Sequence, residues 1–331
     1  MPEPSPTSVR ELKAQSGATG QPFASLLIVR KLATKTASNG NPFLSADLGD
    51  RTGSFSCTVF SDNSAFEALK NSGEGSVVRV EGKIEQYQGR LSPRLTKVMP
   101  VTEAELARPG MIDNLVETSP EDPAGLEREL AGFIEGITHP GLKATVKAAL
   151  EDLGGTFQTA PAASMMHHAY RHGLLEHTVR MARAAQALGP LYPEVNADLA
   201  MAGILLHDSG KALEFEGALA PRRTRRGILQ GHVVLGYQLV RKAGLKAKLD
   251  GEQLERLEHV ILSHQGQLEW GAAVLAATPE AVFVSMIDNL DARMGMVQRA
   301  LRQAADGEEF SERLPGLDTQ LLTRPPGRPT S

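Results

Sequence analysis

The apolar run Leu199–Leu206 ends directly on His207-Asp208-Ser209-Gly210-Lys211. A surface helix has no reason to set so apolar a stretch beside two good metal ligands. Neighbouring helical positions differ by about 100°, so the His207 and Asp208 side chains fan out around one rim. Imidazole plus carboxylate suits a divalent ion of borderline hardness, and a carboxylate with its two oxygens can bridge two ions. His–Asp hydrogen bonds are also common in ordinary cores, so the pair gains meaning only through partners elsewhere in the chain.

The second half of the chain supplies them. All nine histidines lie from His139 onward, and from Glu121 the apolar residues recur at three- and four-residue spacing. This pattern predicts helices over Pro123–Gly136, Leu142–Leu153, Ala162–Tyr170, Gly173–Leu188, Ala197–His207, Gly231–Ala243, Gly251–Ser263 and from Pro279 to about Ala304. Asn196 reads as a capping residue, and Thr278-Pro279 as a helix start. His177 lies on one of these helices, His207-Asp208 end the next, His232 opens another and His264 closes the one after. Asp288 sits in the apolar stretch Val284-Ser285-Met286-Ile287 and Leu290, where an unpartnered charge is costly. Five helices each offering one or two ligands, as helical bundles do around metals, predict a metal site. The single cysteine, Cys57, rules out a disulfide and a thiolate cluster.

The first hundred residues follow a different period. Strands are predicted at Phe23–Val29, Phe43–Leu48, Phe55–Phe60, Val77–Ile84 and Leu91–Val98, with a helix at Asp62–Asn71. Asn39-Gly40-Asn41, Asp50-Arg51-Thr52-Gly53 and Tyr87-Gln88-Gly89-Arg90 are turns, and Pro93 weakens the last strand. Five short strands with a helix after the third fit an OB-type barrel. Such barrels hold single strands with cations and stacking aromatics; Lys35, Phe43, Arg51, Phe60, Tyr87 and Arg90 are the candidates, with Phe43 and Phe60 also suiting the core. This part carries 12 Lys+Arg against 9 Asp+Glu, or +3, within a chain of net charge −4, which permits a polyanionic partner.

The fold class is therefore multidomain α and β: a small OB-like β-barrel followed by an all-α bundle. The divisions are 1–20, a mobile N-terminus apart from a turn of helix at Val9–Lys13; 21–100, the nucleic-acid-binding barrel; 101–120, a linker with a short helix at Thr102–Arg108; 121–318, the helical domain; and 319–331, a flexible tail. No stretch of about 18 apolar residues predicts a membrane span. The first residues lack a secretory pattern, so a cytoplasmic setting is expected.

The order His177, His207-Asp208, Asp288 resembles the HD-domain metal-dependent phosphohydrolases. The longer strings are similar to the YhaM-type 3′–5′ exoribonuclease family, in which an OB-fold precedes an HD domain. They are His167-His168-Ala169-Tyr170, Gly173-Leu174-Leu175-Glu176-His177-Thr178, Leu206-His207-Asp208-Ser209-Gly210-Lys211, Gly231-His232, Ile261-Leu262-Ser263-His264 and Ile287-Asp288-Asn289-Leu290-Asp291-Ala292. In the front half Lys35-Thr36, Asp50-Arg51-Thr52-Gly53 and Glu81-Gly82-Lys83 match too. The chain departs from the family at Gln265, where a second His is usual, at His172, where Gly is common, at Ser209, usually Ile, and at Ser92-Pro93.

The resemblance implies two divalent ions. His177, His207, Asp208 and Asp288 would hold one, with Asp208 bridging; His232 and His264 would hold the second. The donor set suits Mn²⁺ best, with Mg²⁺, Fe²⁺, Co²⁺ and Ni²⁺ compatible. Asp208, Lys211 and His168 are the catalytic candidates, Lys211 through contact with a non-bridging phosphate oxygen and His168 through contact with phosphate or protonation of the leaving 3′-oxygen. Arg222, Arg223, Arg225 and Arg226 suggest a loop that tracks a phosphate backbone. The implied reaction is hydrolysis of single-stranded RNA, with single-stranded DNA as a secondary substrate, from the 3′ end to nucleoside 5′-monophosphates by a homo-oligomer. The competing readings are an HD phosphohydrolase of free nucleotides, with the barrel regulatory, and a binding protein with a non-catalytic metal.

Overall fold

The computed structural model describes residues 6–106, 108, 111–112, 115–162, 170–217, 219, 221–303, 309–314 and 316–323. They fall into two units: Met1–Thr118 with Gly217–Arg222, and Ser119–Glu216 with Arg223–Ser331.

In the first unit, helix α1 (Val9–Ala14) precedes strands β1 (Pro22–Thr36), β2 (Pro42–Asp50) and β3 (Gly53–Phe60), helix α2 (Phe66–Ser72) and strand β4 (Val77–Lys83). The two-residue strands β5 (Gln86–Tyr87) and β6 (Arg90–Leu91), strand β7 (Arg94–Pro100) and helix α3 (Glu103–Leu106) complete it. Phe55, Cys57 and Val59 face inward while Ser56, Thr58 and Phe60 face outward, the period of two that a half-buried strand requires. Leu44, Ala46 and Leu48 do the same on β2. The sheet is antiparallel in the order β3-β2-β1-β4-β7. Among the described residues its two edge strands do not pair with each other, so the expected barrel is an open sheet. A bulge at Arg30 bends β1, and Arg30 Nη2 donates to the Asp50 carbonyl at 2.7 Å.

Four local expectations change. The N-terminal stretch holds the expected turn of helix but is not otherwise simply mobile: Ser8 and Glu11 form a capping box, and Val9 and Leu12, three apart on α1, are fully buried in the sheet's core. β1 runs seven residues beyond Val29, because its polar end still pairs with β2. Ser92-Pro93 ends the short β6, and the last main strand begins at Arg94, as the missing proline N–H demands. Connector residue Leu115 is buried against Ile28 and Val77.

The second unit is helical: α4 (Pro123–Gly136), α5 (Pro140–Leu153), α6 (Thr156–Thr159), α7 (Gly173–Leu188), α8 (Ala197–Leu206), α9 (Lys211–Glu214), the two-residue strands β8 (Phe215–Glu216) and β9 (Arg222–Arg223), then α10 (Arg225–Lys246), α11 (Gly251–Ser263) and α12 (Pro279–Gln303). Every residue of α8 from Leu199 to Leu206 except Met201 is buried. A helix apolar on all sides belongs in the middle, and α8 packs against α5, α7, α11 and α12. Gly203 allows the closest approach, since a Cβ there would lie 2.7 Å from Val260 Cγ1 on α11. Helix α10 starts earlier than expected, at a Thr224 cap, and breaks at Gly231, whose φ of 71° suits glycine. Residues 319–323, expected in a tail, pair back through Phe310–Leu322 and Leu314–Thr319 bridges. The expected helix over Ala162–Tyr170 and candidate His168 fall on residues 163–169, outside the described residues.

Candidate metal centre

Helix ends aim the predicted ligands at one point. The end of α8 delivers His207 and then Asp208, the end of α11 delivers His264, and the break at Gly231 starts a fresh helical segment on His232. Helix C-termini carry partial negative charge, which favours a cation beside His207 and His264. His177 comes from the first turns of α7 and Asp288 from the middle of α12. His177, His207, His264 and Asp208 are almost fully buried.

Two groups of donor atoms result. In the first, His177 Nε2 lies 3.2 Å from His207 Nε2, 3.2 Å from Asp288 Oδ1 and 3.7 Å from Asp208 Oδ2. His207 Nε2 is 3.3 Å from that same Asp208 oxygen. In the second, Asp208 Oδ1 lies 3.5 Å from His232 Nε2 and 3.4 Å from His264 Nε2. Asp208 thus turns one oxygen to each group. Donors held about 2.1 Å from a common ion stand about 3.0–3.4 Å apart along the edges of its coordination shell, close to most of these separations.

Hydrogen bonds on the far side of each ring decide which nitrogen is free. The Nδ1 of His207 donates to the Ile204 carbonyl at 2.8 Å, and that of His264 to the Ile261 carbonyl at 2.7 Å. His177 Nδ1 donates to Asp291 Oδ2 at 2.8 Å, and His232 Nδ1 faces Glu214 Oε2 at 3.2 Å. All four Nε2 atoms therefore face the interior, where each offers a lone pair once it carries no proton, the arrangement that outer carboxylates and carbonyls impose on metal-binding histidines. Two such lone pairs at 3.2 Å, as between His177 and His207, repel unless a proton or a metal cation lies between them. Asp208 Oδ1 is a buried acceptor without a hydrogen-bond donor, an arrangement that is costly without a cation. The donor set and this orphaned oxygen both fit divalent metal.

The electrostatics agree. Burial disfavours a charged His177, but Asp288 and Asp291 outweigh it and push the imidazole up to about 10. Burial raises the Asp208 carboxyl, yet Lys211 and His207 hold it well below the usual carboxylate range. At half-buried Asp288 desolvation works in the raising direction, yet His177 holds the carboxyl down to about 2. At His232 burial wins and lowers the ring.

Lys211 Nζ lies 2.5 Å from Asp208 Oδ2, so its present partner is the carboxylate. Asp291 also accepts from Arg180 Nε at 2.9 Å. Glu176 is buried and accepts from the Tyr170 hydroxyl at 2.9 Å. Two of the departures have structural accounts. His172 has φ of 65°, the left-handed conformation that favours glycine, and Ser209 is buried with its hydroxyl donating to the Leu206 carbonyl at 2.7 Å. Sequence reasoning passed over Glu214, which aligns His232; the signal was an acid in the apolar segment Ala212-Leu213-Glu214-Phe215.

On the sheet, Lys35 pairs with Phe43 and Phe43 with Phe60, placing the three in one cross-strand row. The Phe rings stand 5.8 Å apart and Phe60 is 52% exposed, so it is not a core residue. Tyr87 is exposed, and its strand partner is Arg90 in the β5–β6 hairpin. Arg51 lies at the other end of the β2–β3 ladder from Phe43 and Phe60. The arginines do not form one loop. Arg222 and Arg223 make up β9, Arg225 and Arg226 begin α10 because Thr224 caps it, and Arg223 pairs with Glu214 at 2.8 Å. Arg226 reaches Gln238 at 3.3 Å.

Comparison with known proteins places these features in a family. Residues 174–293 match the HD domain and residues 28–101 the OB-fold nucleic acid binding domain. Relatives of this chain bear the name 3′–5′ exoribonuclease YhaM. The one from Shouchella clausii is 32% identical over 92% of this chain and 94% of its own length. Those from Listeria monocytogenes and Bacillus subtilis are 33% and 31% identical, each over 92% of this chain and 96% of theirs. An HD domain implies dependence on a divalent metal, and the two donor groups lie inside the matched segment. With an OB-fold sheet before that segment and relatives matching nearly end to end, the chain belongs to the YhaM 3′–5′ exoribonuclease family.

Proposed function

We propose that the protein is a metal-dependent 3′–5′ exoribonuclease that shortens single-stranded RNA and releases nucleoside 5′-monophosphates. The observation that carries this reading is Asp208, buried and turned by one oxygen toward each of two imidazole-lined donor groups. His177, His207, Asp208 and Asp288 would hold one ion; His232, His264 and the other Asp208 oxygen would hold a second. Bound there, divalent ions polarise a phosphoryl oxygen and supply water of lowered pKa. The chain's own part is preorganisation. Asp291 and Glu214 fix the His177 and His232 tautomers, Lys211 keeps Asp208 charged, and the apolar α8 keeps bulk water from the inner face. Mn²⁺ is the ion we favour for this mixed imidazole and carboxylate set.

The test is a 5′-labelled oligoribonucleotide incubated with Mn²⁺. A ladder shortened from the 3′ end is expected; an unaltered oligomer beside hydrolysed free nucleotides would turn the reading to a nucleotide phosphohydrolase. The same assay on an oligodeoxynucleotide reads the sugar preference.

The cross-strand row of exposed Lys35, half-buried Phe43 and exposed Phe60 supports the sheet as the strand-holding surface. Stacking of a base on an aromatic ring contributes about 1–3 kcal/mol. Phe60→Ala is therefore expected to weaken binding of oligouridylate about tenfold in fluorescence anisotropy, leaving hydrolysis of a saturating short substrate unchanged; an unaltered affinity would remove the row from the binding surface.

The high His177 pKa adds a pH dependence. With its ring held at about 10, metal-free His177 keeps its proton at neutral pH, and coordination requires the proton to leave. Mn²⁺ affinity should rise as pH increases toward 10 and fall as pH drops. Calorimetry at pH 7 in buffers of different ionisation enthalpy should report release of about one proton; heats independent of buffer would contradict this. A cytoplasmic homo-oligomer completes the reading, supported by the lone buried cysteine and by the exposed apolar Val274, Leu275, Met286 and Leu290. Among the described residues no helix is long and apolar enough to cross a membrane.

A further inference from the structure

Gln265 follows His264 on the turn that leaves α11, and its side-chain nitrogen lies 3.0 Å from His264 Nε2 and 3.1 Å from His232 Nε2. The two ends of a glutamine amide are told apart by their partners, and here the partners decide. His264 Nδ1 must carry the proton, because it faces the Ile261 carbonyl at 2.7 Å. His232 Nδ1 faces the Glu214 carboxylate and must carry one too. Both Nε2 atoms are then pure acceptors, and only the NH₂ end of Gln265 satisfies them. A cation held by His232, His264 and Asp208 Oδ1 needs those same two lone pairs. Amide and ion cannot use them together. Asp208 Oδ1, 3.4–3.5 Å from the two rings, is left without a donor, so the amide satisfies two of the three groups that a cation would satisfy completely. The first donor group brings two carboxylates, Asp288 and the other Asp208 oxygen, to its two rings, where the second has Asp208 alone.

We propose that Gln265 is a built-in competitor for the second cation position: the protein holds one ion tightly at His177, His207, Asp208 and Asp288, and takes a second only when the Gln265 amide turns away. This inference rests on reading the cluster as a metal centre. It makes the second ion exchangeable, so its occupancy follows the metal concentration while the first stays filled. Nothing in the competition involves a change of charge on the protein, since the amide is neutral. The two sites therefore differ through hydrogen bonds that must be given up, and not through the number of carboxylates alone.

The experiment is Mn²⁺ titration of the chelator-stripped full chain, followed by the electron paramagnetic resonance signal of free Mn²⁺ and by calorimetry. Wild type is expected to show one tight and one weak site. Two hydrogen bonds of ordinary net strength correspond to a difference of about tenfold to a hundredfold. Gln265→Ala should tighten the second site by about that factor and leave the first unchanged. Gln265→Met, which keeps the bulk but removes both donors, separates lost hydrogen bonds from opened space and should also tighten it. Gln265 is half-buried on a turn, and circular dichroism is the check that each variant folds. Two sites of equal affinity in wild type, or a second site unchanged in both variants, would overturn the proposal. A second site that weakens in Gln265→Ala would also overturn it, by showing the amide oxygen to be a ligand. Absence of any bound Mn²⁺ in all three proteins would instead remove the metal centre itself.

Discussion

Asp208→Asn is expected to abolish RNA hydrolysis, a loss of about 10⁴-fold or more in kcat, with oligonucleotide affinity at the sheet unchanged. Asn keeps the size of the side chain and removes the charge that both donor groups share. One of its two atoms becomes a donor that faces imidazole lone pairs, so neither ion is held as before. The magnitude is that of removing a member of a unit whose parts act only together. Lys211 loses its partner at 2.5 Å, and with an exposure of only 8% it adds a stability cost that a thermal melt will register. The decisive comparison is with Phe60→Ala, which should lower strand affinity and spare turnover. If Asp208→Asn kept even a hundredth of the wild-type rate, the reaction would run through other residues.

The second large effect concerns Gly210, two residues beyond Asp208. A Cβ at this position would lie 2.0 Å from the His232 carbonyl oxygen and 2.6 Å from the Gly236 nitrogen. Both are backbone atoms of α10, which cannot swing aside as a side chain would. The loop carrying Asp208 and the helix carrying His232 touch only because Gly210 has no side chain. Gly210→Ala must push α10 away, costing about 3 kcal/mol and withdrawing His232 from the second donor group. Urea denaturation of the metal-free protein should show the lower midpoint, and Mn²⁺ titration should show the second site lost with the first retained. Gly132→Ala is the matched control: on α4 nothing lies within 4 Å of the added Cβ, so a helical alanine there should stabilise by about 0.5–1 kcal/mol. A Gly210→Ala protein as stable as wild type would show that the close approach of loop and helix is not needed.

What could be read without coordinates follows the strength of each local signal. The α8 run was legible because eight successive residues without a polar side chain leave no polar face, and an ionisable pair closing a buried helix needs matching charge inside the core. Asp288 was legible because a carboxylate among Val284, Ile287 and Leu290 needs a partner. The end of β1 was not, since Lys31 to Thr36 are mostly polar and held by pairing with β2, which hydropathy does not record. Closure of the sheet was not legible either; alternation specifies faces and says nothing of whether edge strands meet. Phe60 suits both core and stacking because an aromatic ending an alternating strand fits either face, and only its exposure in the folded sheet puts it outside. Gly210, Glu214 and Gln265 act through contacts with α10 residues, or between α10 and the turn after α11, so their roles depend on packing that no spacing rule contains. The run Arg222–Arg226 suits a loop by its charge, but Thr224 caps the helix that takes in Arg225 and Arg226.

The most direct measurement is anomalous diffraction at the manganese edge from crystals equilibrated with saturating Mn²⁺. A peak enclosed by His177, His207, Asp208 and Asp288, and a second beside His232 and His264 on the other Asp208 oxygen, is the predicted result. Electron density with these six side chains in place and no anomalous peak among them would contradict the account.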